Sequence, residues 1–567
     1  MILLNPKTES FAHLDPKSRE IMKKTIAYFE SRGKEKLKAD SHERVWYADF
    51  ITFVKENRIF ATTLTPAPYA GGDPDTRWDT FRICDLNEIL GFYNLSHWYT
   101  WQVSILGLGP IWMSSNEAIK KKTAALLNEG GIFAFGLSEQ THGADLYSSE
   151  MALTPLAEGT YAADGGKYYI GNANKAALVS TFGKNSETDE YVFFAVTPGH
   201  PNYDLVQNVV NWEGYVAEYA LNGYPVTDAD ILSTGRDAWD AALNTVNVGK
   251  FNLGWGAIGI CTHAFYEALN HAGHRNLYGQ WVTDFPHIKQ LFVDAYTRLV
   301  AMKLFSQRAT DYFRSASPQD RRYLLYNPMV KMKVTTQGEE VINLLWDVIA
   351  ARGFEKDMYF EMAVKDIRSL PKLEGTVHVN MALIIKFMAN YFFNPGRFPE
   401  VPKRDDPADD AYLFNQGPTK GLGKIQFHDY RLAYDGVNLP NVAVFKEQIA
   451  ALTQFLATAT PSAEQTKNID FLLSLGELFT LVAYGQLLLE KYRMDNLADD
   501  LVEQIFDFMV RDFSKFALQI YSKPASTAQQ ADLCLKMIKR PVVDIERFQR
   551  FWEQHVYALK DAYAMKP

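Results

Sequence analysis

Residues 366–380, DIRSLPKLEGTVHVN, place one acid, Glu374, after an apolar stretch and directly before Gly375 and Thr376. Leu370 and Leu373 are apolar, and Pro371 fixes how the chain enters. A carboxylate partly buried there would have a raised pKa, because burial disfavours its charged form. Raised, it becomes a better acceptor of a proton from a weak carbon acid. Taken alone, a Glu before Gly-Thr between helices reads as a solvated loop carboxylate, and His378 as a packing residue. A second segment, GIFAFGLSEQTHGADL at 131–146, ends a strand on Phe135, Leu137 and Ser138. Phe135 and Leu137 share one face and Ser138 the other. With Gly143 after it, this strand end offers backbone N–H groups and a hydroxyl, suited to a ring with hydrogen-bonding edges. Taken alone it reads as an ordinary β-turn. Arg275, ahead of Tyr278 and Gly279, reads locally as a cation serving a helix C-terminus.

These residues need elements to hold them, and the periodicity changes in a clear order. Residues 1–130 read as helices, for example SREIMKKTIAYFESRGKEKL, with Ser115 as the N-cap of another. Residues 131–240 turn to aromatic and β-branched strands separated by DGG, KNSETDE and PGHPN, a small antiparallel barrel or sandwich. Helical periodicity returns over 241–394. A Pro- and Asp-rich linker then leads into an amphipathic helical extension, the two together covering 395–567. The fold class is α+β, mostly α.

Composition limits the partners. The chain has 567 residues, 47% hydrophobic and 22% charged, ordinary for a globular protein of several packed units. A net charge of −9 opposes non-specific binding to nucleic acid or anionic membrane. Three scattered cysteines, Cys84, Cys261 and Cys534, suit free thiols in a reducing compartment; neither a disulfide framework nor a metal site is expected. The start carries no signal or transit pattern, so a cytoplasmic location is expected. The apolar stretch 471–489 is broken by Glu477 and Gln486 and reads as a buried helix, not a membrane span. GPTKGLGK at 417–424 lacks phosphate-loop spacing.

Together, the two segments and the order of elements resemble the acyl-CoA dehydrogenase family. There, a Thr/Ser-Glu-Pro-x-x-Gly-Ser-Asp strand end meets the flavin and a Tyr-Glu-Gly-Thr motif carries the catalytic glutamate. GGKYYIGNA, GRDAWDAALNTVNVGKFNLGWGAIGI and HRNLYGQWV resemble further family segments in the right order. The resemblance implies FAD as cofactor and Glu374 as the base in α,β-dehydrogenation of an acyl-CoA, with a flavin-dependent oxidase or monooxygenase on the same fold, or a non-redox acyl-CoA-binding homologue, as the alternatives. It implies Phe135, Leu137, Ser138, Tyr169 and Gly171 at the isoalloxazine, and Gly143 and Ala144 near the pyrophosphate. Arg275 would reach the FAD of a partner subunit, and Tyr278, Thr376 and His378 would also contact FAD. Ala144, Lys250 and Gly375 fall on the substrate side. An electron-transfer flavoprotein would take the electrons. The extension resembles that of very-long-chain members, which implies a homodimer. The chain also departs from the pattern. Gly171 replaces a Thr, Tyr169 a Trp, Ala144 a Ser and Lys250 an Arg, while Asp347 to Gly353 replaces a Gln-x-x-Gly-Gly-x-Gly loop with Ala350 and Ala351.

Overall fold

The helix Pro16–Glu43 begins where Asp15 accepts the Ser18 N–H at 3.0 Å and Pro16 takes the first position, whose N–H has no helical partner anyway. The computed structural model describes residues 2–567 and divides into two compact units. The first unit holds Ser10–Asn252, Asp405–Lys420 and Met565–Pro567. The second holds the N-terminal residues up to Glu9, Leu253–Arg404 and Gly421–Ala564.

In the first unit, helices Thr80–Tyr93 and Leu95–Met113 are buried on nearly every face, as their all-round apolar sequences require. Several of their interior polar groups are tied together around Asn87. Asn87 Oδ1 accepts the indole N–H groups of Trp98 (2.8 Å) and Trp101 (3.2 Å), and its Nδ2 donates to Asn252 Oδ1 at 3.0 Å. Eight strands follow: β1 (Phe133–Gly136), β2 (Ala152–Ala157), β3 (Thr160–Gly171), β4 (Leu178–Asn185), β5 (Tyr191–Val196), β6 (Tyr203–Asn208), β7 (Val216–Thr227) and β8 (Ile231–Thr234). They form one sheet in the order β6-β7-β3-β2-β4-β5-β8, with β1 branching off to pair parallel with β4. Helix Leu95–Met113 lies close over β1 because residue 107 is glycine. A Cβ there would come within 2.6 Å of the Ala134 backbone nitrogen.

The second unit is helical: Pro286–Arg314, Tyr323–Met329, Thr335–Ile349, Tyr359–Ser369, Val377–Ile384 and Met388–Phe393, then Pro440–Thr458, Ile469–Asp495, Asp499–Tyr521 and Ala528–Met537. Between Met329 and Thr335 the helix widens into a π turn, Val330–Val334. Helix Ile469–Asp495 is long and apolar enough to cross a membrane, but 83% of its most apolar window is buried inside the structure. It packs against Pro286–Arg314, Val377–Ile384 and Asp499–Tyr521 as a core helix. Ion pairs fix its surroundings: Arg308–Glu490 at 2.7 Å, Lys333–Glu477 at 2.8 Å, and Arg298 clasping both oxygens of Asp512 at 2.7 and 2.8 Å. Cys84, Cys261 and Cys534 are buried and form no disulfide among the described residues.

Candidate active site

Regular pairing of β1 stops at Gly136, and the chain turns at once, the Leu137 N–H donating to Phe135 C=O at 3.0 Å. Phe135 is buried and stacks on Phe193, while Leu137 and Ser138 are half-buried. The Ser138 hydroxyl donates to Tyr168 C=O at 2.7 Å and Ser138 C=O accepts the Tyr168 N–H at 3.0 Å. Its proton is therefore spent inside the protein, and only the acceptor side of that oxygen is left for a ligand. Glu139, next along, accepts four hydrogen bonds, from Lys167 Nζ, the Ser149 hydroxyl and the N–H groups of Glu150 and Met151. Burial alone would raise its pKa, but the Lys167 charge and these bonds hold it below the usual carboxylate range. Burial takes Lys167 down to about 8 against the pull of Glu139. Glu139, His142 and Glu150 do bring ligand-type atoms within 4.8 Å of one another, but Glu139 has its full acceptor capacity committed. Past this pair, Gly143 and Ala144 are exposed, and a Cβ on Gly143 would meet nothing within 4 Å.

Strand β3 meets this corner through a bulge. Its register against β7 shifts between Lys167 and Ile170, and Tyr169 sits at φ +64 with its ring 60% exposed. Asn172, at φ +65, pins the strand end: its amide donates to Thr100 C=O (2.9 Å) and Phe133 C=O (3.0 Å) and accepts the Thr100 hydroxyl (2.8 Å). Gly171 is glycine because a neighbour fills the place of its side chain. A Cβ there would lie 2.6 Å from Tyr99 Cε1, 2.8 Å from Val103 Cγ2 and 2.9 Å from the Tyr99 hydroxyl. A phenol hydroxyl thus stands beside the position where the family pattern carries a threonine hydroxyl. Lys250 is buried on helix Gly235–Gly273 in this unit.

In the second unit, Arg275 follows the end of that helix, and Tyr278 and Gly279 form a two-residue hairpin turn at φ +54 and +80 between Asn276–Leu277 and Gln280–Trp281. Tyr278 is 96% exposed. The helix end is served by His274, whose ring Nδ1 lies 2.8 Å from Asn270 C=O. Arg275 makes no side-chain hydrogen bond or ion pair among the described residues, so its five donors remain for an anion. In the altered glycine loop, Ala350 keeps φ +54, a backbone glycine adopts more readily, and Ala350 and Ala351 are exposed.

Glu374 sits in a tight loop between helices Tyr359–Ser369 and Val377–Ile384. It has φ +51, followed by Gly375 at φ +87, so two consecutive residues are left-handed and the first pays a steric cost of about 1–2 kcal/mol. The loop is held from both sides. Lys331 Nζ donates to Pro371 C=O and Gly375 C=O, and Asn380 Nδ2 donates to Gly375 C=O and Thr376 C=O, each at 3.0 Å. Glu374 is half-buried, and its Oε2 is shut off from solvent. Thr376 is exposed and caps the next helix, its hydroxyl oxygen 3.4 Å from the Val379 N–H; His378 is exposed in the first turn. The structure therefore groups Phe135, Leu137, Ser138, Tyr169 and Gly171 at the β1–β3 corner and, in the second unit, builds a strained acidic loop around Glu374. The Glu139–Lys167 pair, Asn172, Tyr99 and Lys331 were not singled out by sequence. Asn172 carried the one available signal, an Asn directly after the Gly171 departure, where left-handed backbone favours Asn.

A family model described as acyl-CoA dehydrogenase, C-terminal domain, matches residues 237–389. The 3-(aryl)acrylate reductase of Clostridium sporogenes is 22% identical over 350 residues, 59% of this chain and 89% of the relative. The mitochondrial very long-chain specific acyl-CoA dehydrogenase of Rattus norvegicus is 24% identical over 372 residues, 62% of this chain, which spans 54% of that enzyme. The crystal structure of an acyl-CoA dehydrogenase complexed with FAD from Bacillus anthracis aligns with a TM-score of 0.73 at 15% identity. It covers 98% of this chain and 97% of that one, so the likeness in fold includes the C-terminal extension. Residues 237–389 thus match the acyl-CoA dehydrogenase C-terminal domain, and the whole chain shares the fold of an acyl-CoA dehydrogenase.

Proposed function

We propose that this protein oxidises the Cα–Cβ bond of an acyl-CoA thioester to the 2-enoyl-CoA, with Glu374 as the base and FAD as the hydride acceptor. The observation that carries the reading is the backbone of Glu374. A half-buried acid is held at φ +51 by a lysine and an asparagine that grip the carbonyls around it. Strain of this kind persists only where the surroundings over-determine it, and it clusters at functional sites.

The donor set suits FAD. Gly143 leaves open space, Tyr99 places a hydroxyl beside Gly171, and the Ser138 oxygen can accept, while Arg275 offers a planar cation to the diphosphate of a partner subunit's FAD. Phe135, Leu137, Tyr169, Ala144, Tyr278, Thr376 and His378 complete the proposed cofactor side, with Ala144, Lys250 and Gly375 toward substrate. When bound, FAD supplies the acceptor for the β-hydride. The Glu374 carboxylate removes the α-proton, and its backbone N–H donates to the thioester oxygen, stabilising the negative charge that develops there. A homodimer that hands its electrons to an electron-transfer flavoprotein fits this reading.

Anaerobic addition of acyl-CoAs to the yellow protein should bleach the flavin. Glu374→Gln should keep the colour and lose reduction by about 10²–10⁴-fold, the range a general base contributes. Bleaching near the wild-type rate in that variant would assign the base elsewhere. Colourless protein that still binds acyl-CoA would instead identify a non-redox relative.

A further inference from the structure

Lys331 lies on the π turn Val330–Val334 and is fully buried. A buried ammonium is costly unless its donors are used. Lys331 spends donors on the carbonyls of Pro371 (2.7 Å) and Gly375, the residues that bracket Glu374. Two residues along the same turn, Lys333 is 2% exposed and pairs with Glu477 Oε2 at 2.8 Å. Glu477 belongs to helix Ile469–Asp495 in the C-terminal extension. That helix also bears on the element that follows Glu374: a Cβ on Gly476 would overlap Met381 Sδ on helix Val377–Ile384. Residue 476 is therefore glycine where the two helices close up.

We infer that the C-terminal extension is part of the device that positions the catalytic base. Glu477 fixes Lys333 and so the π turn, the turn aims Lys331, and Lys331 sets the carbonyls on either side of Glu374. Lys331, Lys333 and Glu477 are positioning residues, acting through Glu374. π turns inserted in α-helices recur at functional sites, and here one turn faces the base loop with one lysine and the extension with the next. The inference rests on the reading of Glu374 as the base.

The test uses full-length, FAD-loaded protein and a straight-chain series from butyryl-CoA to palmitoyl-CoA, with the member that best bleaches the wild type as probe. Lys331→Met should slow flavin reduction by about 10–100-fold, the scale of a misplacement near 1 Å, with FAD content unchanged and KM within about two-fold. Glu477→Gln should slow it by about 3–10-fold with the same split between kcat and KM. The double variant should be no slower than Lys331→Met, because both changes act through one turn. Glu374→Gln, run in parallel, separates the two ideas. If it bleaches normally, the assignment of the base fails. If it is dead while Lys331→Met and Glu477→Gln retain wild-type kcat, the positioning inference fails. Additive losses in the double variant also overturn it. Should Lys331→Met not fold, Glu477→Gln decides: unchanged kcat refutes the inference, and a kcat loss without change in KM or FAD content supports it.

Discussion

Gly171→Thr restores the hydroxyl of the family pattern, and from the sequence it reads as an improvement. The structure implies the opposite. The added Cβ would start 2.6 Å from Tyr99 Cε1 and 2.8 Å from Val103 Cγ2. Comfortable carbon contacts lie at about 3.5–4.0 Å, so the tyrosine ring must retreat by about 1 Å. The ring is half-buried, and its retreat is opposed by Trp212, which it meets edge-on at 5.4 Å. Overpacking of this kind costs about 1–3 kcal/mol. Carried on the conformation that binds cofactor, that is about a 5–150-fold loss of FAD affinity, at about 1.4 kcal/mol per decade. Titrating FAD into apoprotein and following the quenching of its fluorescence measures the loss directly. Gly171→Thr combined with Tyr99→Ala should recover part of it by removing the clash. A single Gly171→Thr variant that binds FAD as tightly as the wild type would refute the reasoning.

Arg275→Ala should lower FAD retained through gel filtration, by loss of a charge-assisted contact; unchanged occupancy would return Arg275 to the helix end. Burial pushes the Asp512 pKa up, but the Arg298 guanidinium outweighs it and holds Asp512 at about 2. Its folded pKa lies below the ordinary 3.8, so the pair stabilises fully above pH 3.8 and loses that contribution as pH falls toward about 2. The contribution is about 2 kcal/mol. The drop in urea midpoint across this window should be smaller in Asp512→Asn, and an equal drop would exclude the pair as a cause. Light scattering on the full chain should give a dimer, and a tetramer would refute the proposed homodimer. A chain truncated after Asn394 should aggregate, because it bares the faces that Ile469–Asp495 covers on Pro286–Arg314 and Val377–Ile384; a soluble, active dimer would count against this.

The order of elements was legible because it rests on periodicity: a run such as YVFFAV makes a strand and NVAVFKEQIAALTQFLA a helix wherever they pack. Glu374 stood out because its neighbours in sequence are also its neighbours in the loop. Lys331 did not, because it is 43 positions upstream and its target is a pair of backbone carbonyls, which leave no trace in residue types. The pairing of Glu139 with Lys167 joins two separate motifs across a strand corner, and only the fold brings them to 2.7 Å. Ser138 shows the limit from the other side. Its hydroxyl was readable as a ligand group, but the carbonyl of Tyr168 that takes its proton belongs to a bulge that residue types alone do not fix.

The π turn changes which mutations this protein can tolerate. A π turn is an α-helix carrying one additional residue, and neighbouring positions on a helix differ by about 100° of rotation. Deleting one residue between Val330 and Val334 would make the helix regular and would read as benign by helix propensity. Because the wide turn absorbs the additional residue, the flanking segments would keep their facing, and the residues of the turn itself would be re-aimed. Lys331 and Lys333 would then lose their present aim at the Pro371–Gly375 carbonyls and at Glu477. Substitutions along Thr335–Ile349 can be absorbed one side chain at a time, whereas the length of the chain between Met329 and Thr335 has no such tolerance.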